Sequence, residues 1–210
     1  MQLGEMMFSF FKKNYHEPVK QQIVEVQQQP IGPLAIAGED CDELQNAQGP
    51  FGHSFNNPIP VNGLLGAYKY LGKLLSPKGN IVYFHRIGSL DSDVAKNLID
   101  AYEVVDMAGG YWDLVFIDMY HPRRSNKAPE GYKLKEYNAS YGDLPLAYGV
   151  DIFCPNFPFD LADAIQSRNN LEVFARKVRE RLSAGGQYNR PESQAMKLAG
   201  IKGKIVSVRT

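Results

Sequence analysis

The sequence predicts an α+β domain: an antiparallel β-meander with a hairpin, covered by two main helices and joined by long irregular loops. Three segments, 81–87, 101–105 and 112–120, are rich in the β-branched and aromatic residues that are typical of strands. A Gly109-Gly110 pair joins the last two segments, as expected for a hairpin. The 12 tyrosines and 11 phenylalanines further favour a sheet with a sizeable core.

The N-terminal third of the chain combines one strand-like segment with long irregular stretches. Residues 18–26 alternate in character and predict a first strand, which the proline-containing segment 27–33 ends. Residues 38–63 hold six Asn or Gln, four Gly and three Pro, with little periodicity. This stretch is longer than an ordinary connection, so we interpret it as functional, as disordered or as an extended cover over the core.

The spacing of apolar residues predicts the two covering helices. The first spans 64–75, with Asn62 as its N-cap and a Ser-Pro pair as its stop. The second spans 161–182, with Asp160 as its N-cap. Each has apolar residues three or four positions apart on one face. These residues are Leu64, Tyr68, Leu71 and Leu75 in the first helix, and Leu171, Phe174, Val178 and Leu182 in the second.

In the middle of segment 112–120, both the odd-numbered and the even-numbered residues are apolar. Successive residues of a strand point to opposite faces, so this pattern indicates a central strand covered on both sides. A two-residue Gly-Gly loop predicts a hairpin register with Val105 opposite Leu114. The same register sets Asp106 opposite Asp113, which is unfavourable because like charges repel across a strand pair.

We predict that the chain consists of three parts: an amphipathic segment at 1–16, a single α+β domain at 17–182 and a tail at 183–210. The first stretch has neither the cationic start nor the cleavage pattern of a secretory signal, so we expect it to pack on the domain or on a neighbouring subunit. The tail is polar until residues 205–208, which could add an edge strand or pair with another subunit.

Composition argues against several classes of partner. The 23 acidic and 23 basic side chains cancel, so the net charge gives no reason to expect nucleic acid or an anionic membrane as a partner. No apolar run reaches the roughly 18–20 residues that a membrane-spanning helix needs. The two cysteines indicate reduced thiols and a cytoplasmic location. No cofactor is predicted.

The candidate site follows the predicted strand 112–120. Acid, base and anion-binding groups occur close together there, and Pro122 ends the strand. We consider Asp118 and His121 as catalytic candidates, because a carboxylate that orients an imidazole is the usual arrangement for general acid–base work. Arg123, Arg124 and Lys127 are candidates for holding a phosphate or carboxylate.

Two features weaken the catalytic interpretation. Asp118 and His121 have opposite parity, so a straight strand points them to opposite faces. Ser125 lies close in sequence but has no nucleophile-elbow motif around it. The alternative is a buried structural carboxylate at Asp118, paired with Arg86 or Arg123.

Two further groups of residues were considered as sites. Cys41, His53, His121 and Cys154, with His85 as an extra candidate, are chemically suited to zinc, but the nearest pair is separated by eleven residues and no metal site is predicted. The acidic cluster Glu39, Asp40, Asp42 and Glu43 either is solvated or docks on the basic loop 123–127.

These observations favour a non-enzymatic binding or interaction protein that self-associates and whose basic loop 121–127 contacts an anionic group of a protein partner or a small ligand. The alternative is a small-molecule hydrolase. In that case His121 is the acid or base, Asp118 orients it, and Arg123 and Arg124 hold the anionic substrate.

Overall fold

The computed structural model describes residues 42–136, 148–169 and 171–208, which belong to one compact unit. The predicted strand 18–26 and the N-terminal segment 1–16 lie outside these residues. The described strands are β1 Ile59–Pro60, β2 Leu74–Leu75, β3 Val82–Leu90, β4 Ile99–Asp106, β5 Trp112–Asp118, β6 Lys133–Leu134 and β7 Tyr148–Val150. The described helices are α1 Gly63–Leu71, α2 Leu161–Asn169, α3 Glu172–Ser183 and α4 Glu192–Lys202.

A five-stranded mixed sheet has the strand order β1-β5-β4-β3-β7, and β2 pairs with β6 in a separate antiparallel pair. Strands β3, β4 and β5 form the predicted antiparallel centre. The prediction of a purely antiparallel meander is wrong, because β1 runs parallel to β5 and β7 runs parallel to β3. Both outer strands are joined to the centre by long connections, which do not impose the antiparallel direction that a tight hairpin does.

The hairpin between β4 and β5 differs from the predicted register by two residues. Val105 pairs with Trp112 rather than with Leu114. The connection is longer than a Gly-Gly loop, because the strand pairing ends where the backbone N–H of Asp106 donates to the carbonyl of Tyr111 (2.9 Å). Within this loop, the N–H of Gly110 donates to the Asp106 carboxylate (2.9 Å). A slip of two residues keeps every side chain on its face, so the alternating pattern alone could not detect it.

Both faces of the central strands are covered, as the sequence predicted for segment 112–120: every residue of β3, β4 and β5 is buried. Helix α1 packs on one face, with Tyr70 and Leu71 against Phe84, Tyr102 and Val115. Helices α2 and α3 pack on the other face around Tyr83, Val105 and Trp112. Leu198 of α4 covers the end of that second face beside Leu114 and Phe116.

The helices differ from the predicted pair in number and length. The structure describes four, and the predicted helix 161–182 is two helices, α2 and α3, with Leu171 as the N-cap residue of α3. Helix α1 ends at Leu71 instead of 75, because Leu74 and Leu75 leave it to pair with β6. Asn62 precedes α1 but its side chain does not cap the helix; it donates to the carbonyl of Pro122 instead (2.8 Å).

Within the predicted tail 183–210, the chain forms α4 and then returns to the sheet. The N–H of Val206 donates to the carbonyl of Ser89, and the N–H of Ser89 donates to the carbonyl of Ser207 (2.9 and 2.8 Å). Residues 205–208 therefore lie beside the end of β3 as a single antiparallel bridge, beyond the part of β3 that β7 covers. In the ranges that the structure describes, no helix combines the length and apolarity needed to cross a membrane.

We predict that Gly149→Ala lowers the free energy of unfolding by about 1–3 kcal/mol. Gly149 pairs with Phe84 across β7 and β3, and a Cβ atom at this position would overlap the ring and the carbonyl oxygen of Phe84. Gly200→Ala is the control: it lies within α4, its Cβ would meet nothing within 4 Å, and it is expected to stabilise the protein by about 0.5–1 kcal/mol. Urea unfolding followed by circular dichroism measures both, and equal stability of the two variants would contradict the prediction.

Candidate functional site

A cavity of about 640 Å³ opens beside the edge of β5. Strand β1 pairs only with Ile117 and Asp118, so the first part of β5 has no described strand next to it on that side. Side chains from both faces of the sheet reach the cavity at this edge, and α4 with the segment after it forms the opposite wall. The lining residues are Pro50, His53, Tyr111, Asp113, Leu114, Phe116, Glu130, Lys197, Gly200, Ile201 and Lys204.

Asp113 is the buried acidic group of this cavity. Its Oδ2 lies 3.3 Å from Nδ1 of His53 and accepts hydrogen bonds from the hydroxyls of Tyr111 and Tyr132, both at 3.2 Å. Its Oδ1 accepts the backbone N–H of Leu114 (2.8 Å). These contacts compensate for the burial of the charge and hold the carboxylate in one orientation. They also satisfy an N–H that would otherwise be open at the edge of the sheet.

His53 presents an imidazole to the same cavity. Its side chain is 22% exposed, and its ring packs 6.0 Å from the ring of Tyr132. Because Nδ1 faces Asp113, the tautomer of the neutral ring that fits this contact has its proton on Nδ1 and its lone pair on Nε2. Nε2 makes no hydrogen bond with any residue that the structure describes. An imidazole held at one nitrogen by a carboxylate and open at the other is the arrangement of a general base.

The two tyrosines of the cluster remain proton donors. Burial, together with the nearby charge of Asp113, raises the pKa of Tyr111 to about 12. The same two causes raise the pKa of Tyr132 well above its usual value. Both hydroxyls therefore stay protonated at neutral pH, and each is committed to the carboxylate of Asp113.

Basic and apolar groups form the rest of the cavity wall. Lys197 lies on α4 and Lys204 follows it, and both are exposed. The ammonium group of Lys204 also lies 5.1 Å from the centre of the Phe55 ring. Leu114, Phe116 and Ile201 supply apolar surface. A cavity with an apolar wall and a few convergent polar groups is typical of small-molecule sites.

Sequence reasoning missed this site because its members come from distant parts of the chain. His53 lies in the irregular stretch 38–63, and Asp113 is sixty positions later. One signal pointed to Asp113: it is an acidic residue on a strand predicted to be buried, and such a residue must find donors. Nothing in the local sequence indicates that the donors are His53, Tyr111 and Tyr132.

The structure does not join Asp118 and His121, the predicted catalytic pair. Asp118 is 7% exposed and accepts the backbone N–H of Tyr120 (3.0 Å). The Nδ1 atom of His121 lies 3.1 Å from the backbone N and 2.9 Å from the carbonyl oxygen of Arg123. No hydrogen bond or ion pair links the two side chains among the described contacts, and catalysis at this pair stays a prediction.

The structural alternative for Asp118 predicted Arg86 or Arg123 as its ionic partner. Arg86 pairs with Asp100 instead (2.8 Å), in a buried group that includes Ser89. Burial raises the pKa of the Asp118 carboxyl, and the N–H of Tyr120 and the charge of His121 only partly oppose this.

The basic loop is in contact with part of the acidic cluster. Lys127 forms an ion pair with Glu43 (2.8 Å), which lowers the pKa of that carboxyl. The backbone N–H of Asn126 donates to the carboxylate of Asp42 (2.8 Å), and the Ser125 hydroxyl donates to the backbone carbonyl of the same residue (3.1 Å). Asp42 and Glu43 thus dock on the loop, as one of the two interpretations expected; Glu39 and Asp40 lie outside the described residues.

Arg123 and Arg124, the other two anion-binding candidates, differ in exposure. Arg123 is half-buried and Arg124 is exposed. The charge of Arg124 adds to burial in lowering the pKa of Lys73, so the two cations lie near each other.

The residues considered for zinc do not converge in the part of the chain that the structure describes, where no group of three or more His, Cys, Asp or Glu could hold a metal ion. His85 is enclosed: its Nδ1 accepts the N–H of Cys154 (3.1 Å) and its Nε2 lies 3.0 Å from Glu103. Glu103 is also paired with Arg190, whose Nη2 donates to it (3.0 Å). Cys41 lies outside the described residues.

Comparisons with protein families, with curated proteins and with solved structures find no match to this chain. The function is therefore inferred from the geometry of the site.

We predict that Asp118→Asn raises the free energy of unfolding at pH 7. A carboxyl whose pKa is raised in the folded state binds protons more tightly there than in the unfolded chain. Stability is therefore lost as the pH rises from the ordinary pKa of 3.8 through the raised value, and the loss persists at neutral pH. Asparagine removes the charge and keeps an oxygen that accepts the N–H of Tyr120.

Urea unfolding of Asp118→Asn and of the wild-type protein between pH 3 and pH 7 measures the effect. The difference in free energy should shrink as the pH falls toward 3.8. Asp91→Asn, at an exposed position, controls for the change in net charge. A variant that is less stable than wild type at pH 7 would show that the Asp118 charge is stabilising.

Proposed function

We propose that this protein binds a small molecule with an anionic group in the cavity beside β5. The observation that carries the proposal is the convergence of His53, which is held by Asp113, with Lys197 and Lys204 on one cavity. These residues come from a loop, a strand and the C-terminal helical region, so the fold brings them together.

The dimensions and walls of the cavity support a small ligand. Its volume of about 640 Å³ lies within the range of roughly 300–1,000 Å³ that is usual for such sites. Leu114, Phe116 and Ile201 offer apolar contact for the body of a ligand. The polar groups lie among them, which suits a molecule with one charged end.

The charges support an anion. Asp113 is negative, but its carboxylate already accepts hydrogen bonds from two tyrosine hydroxyls and a backbone N–H. With Asp113 and Glu130 counted against Lys197 and Lys204, the formal charges of the lining sum to zero, and both positive charges lie on the wall formed by α4 and the segment after it. A carboxylate or phosphate that faces the lysines would therefore be attracted.

Anion recognition by the loop 121–127 stays a prediction. The nearby positive charges of Lys73 and Arg124 support this prediction. The Lys127 ammonium, in contrast, already forms an ion pair with Glu43. We propose a cytoplasmic location from the cysteine content, and the buried free thiol of Cys154 is consistent with it.

Titration with benzoate, an apolar ring with one carboxylate, tests binding in the cavity. We expect saturable nuclear magnetic resonance shifts at His53, Tyr111 and Leu114. Lys204→Met should raise the Kd for benzoate by up to about fivefold, because an exposed ion pair contributes up to about 1 kcal/mol. Lys202→Met is the matched control, because Lys202 is exposed, carries the same charge and does not line the cavity.

Two results would contradict the proposal. Benzoate that shifts no cavity residue at millimolar concentration would remove the proposed site. Equal weakening by Lys204→Met and Lys202→Met would show that only the net charge of the protein attracts the anion.

We also propose self-association, which the exposed apolar side chains at the C-terminal end support. Met196 is 70% exposed, and Val206 and Val208 are about half exposed. Light scattering after size-exclusion chromatography should give a mass above the 23.5 kDa of one chain. Met196→Lys should lower that mass toward the monomer, and a wild-type monomer at high concentration would contradict the proposal.

A further inference from the structure

We propose that the cavity beside β5 hydrolyses a small ester that carries a carboxylate, with His53 as the general base that activates water. This inference rests on the proposed binding of an anion in the same cavity. It moves the hydrolytic chemistry away from Asp118 and His121 to a histidine that the fold pairs with a buried carboxylate.

Of the three described histidines, His53 has the geometry that a general base requires. His85 is buried and both of its ring nitrogens have partners, the N–H of Cys154 and the carboxylate of Glu103. His121 has its Nδ1 against the backbone of Arg123 and is not joined to a carboxylate in the described structure. His53 alone among these three combines a carboxylate 3.3 Å from Nδ1 with a side chain that lines a cavity and an Nε2 without a described hydrogen bond.

Asp113 is a positioning residue in this arrangement. Its Oδ2 lies 3.3 Å from Nδ1, which is longer than a strong charge-assisted hydrogen bond but close enough to orient the ring. Two tyrosines and a backbone N–H hold the carboxylate, so the imidazole has a fixed group to align with. The same carboxylate stabilises the imidazolium that forms when Nε2 takes a proton.

Water is the nucleophile that the residues lining the cavity favour. Among the described residues, the cavity lining contains no Ser, Thr or Cys. Tyr111 is the lining residue with a hydroxyl, and its raised pKa keeps it protonated and bonded to Asp113. A covalent acyl intermediate on a serine, threonine or cysteine is therefore not available from the lining residues, whereas a bound water beside Nε2 needs only a base.

The reaction balances without a further reactant. Nε2 removes a proton from water while the water oxygen bonds to the ester carbonyl carbon, and the carbonyl oxygen takes the negative charge. The tetrahedral intermediate then expels the alcohol oxygen, which takes the proton back from the imidazolium. The products are a carboxylic acid and an alcohol, and nothing is oxidised or reduced.

The cavity favours an ester with a second, free carboxylate. Lys197 and Lys204 lie on the wall formed by the C-terminal region, and His53 and Asp113 lie on the side of β5. A ligand whose carboxylate faces the lysines can present an ester carbonyl toward His53. The buried apolar residues Leu114 and Phe116 line the same cavity and offer contact to the body of the ester.

The test compares two chromogenic esters on the purified full-length protein. The first is the para-nitrophenyl monoester of succinate, which has a free carboxylate, and the second is para-nitrophenyl acetate, which has none. We expect a higher kcat/KM for the succinate ester. His53→Gln should lower kcat/KM by about a hundredfold or more, which is the usual contribution of a general base. Lys202→Met should leave both activities unchanged.

Two further variants separate positioning and specificity from folding. Asp113→Asn should lower kcat with little change in KM or in benzoate binding, whereas loss of the cavity itself would also raise KM and disturb benzoate binding. Lys204→Met should raise KM for the succinate ester and leave the acetate ester unchanged. Benzoate titration of each variant shows whether its cavity is still formed.

The outcomes distinguish the two proposals. Benzoate binding without ester hydrolysis above the buffer rate would overturn this inference and leave the binding proposal in place. Absence of both would overturn both. Loss of activity in His121→Gln, with normal activity in His53→Gln, would overturn the inference and return the chemistry to the loop 121–127.

Discussion

The buried carboxylates of strands β4 and β5 determine how the loops and the C-terminal region pack on this sheet. Every residue of both strands is buried, and among them are Asp100, Glu103, Asp106 and Asp113. A buried charge without partners costs several kcal/mol, so each must be met by donors. Arg86 meets Asp100 from the neighbouring strand, and Arg190 reaches Glu103 from the segment before α4. The sheet therefore forms together with the segments that supply these donors.

The cavity follows from the same constraint at the edge of the sheet. One carboxylate oxygen of Asp113 contacts a histidine from the long N-terminal loop and accepts hydrogen bonds from two tyrosines. The second oxygen accepts the edge N–H of Leu114. These contacts stabilise the fold and also leave an oriented imidazole beside open space. One carboxylate thus meets a structural requirement of the sheet and also places an imidazole beside the cavity.

Asp118 shows what happens where the constraint is met only in part. Among the residues that the structure describes, its carboxylate accepts a backbone N–H but forms no ion pair, and burial raises its pKa. The residues that follow have other partners: His121 contacts the backbone of Arg123, and the loop is held by Asp42 and Glu43. Residues that are close in sequence are thus bonded to different groups.

The sequence by itself determined the local elements: the strands within the predicted segments 81–87, 101–105 and 112–120, the hairpin between the last two, and the burial of both faces of β5. Alternation, β-propensity and turn residues act over a few positions, so they can be recognised without the fold. The tertiary structure decided the parallel edge strands, the hairpin register and the pairing of His53 with Asp113. These depend on contacts between distant residues, which are selected by where a buried charge or an open strand edge finds a partner.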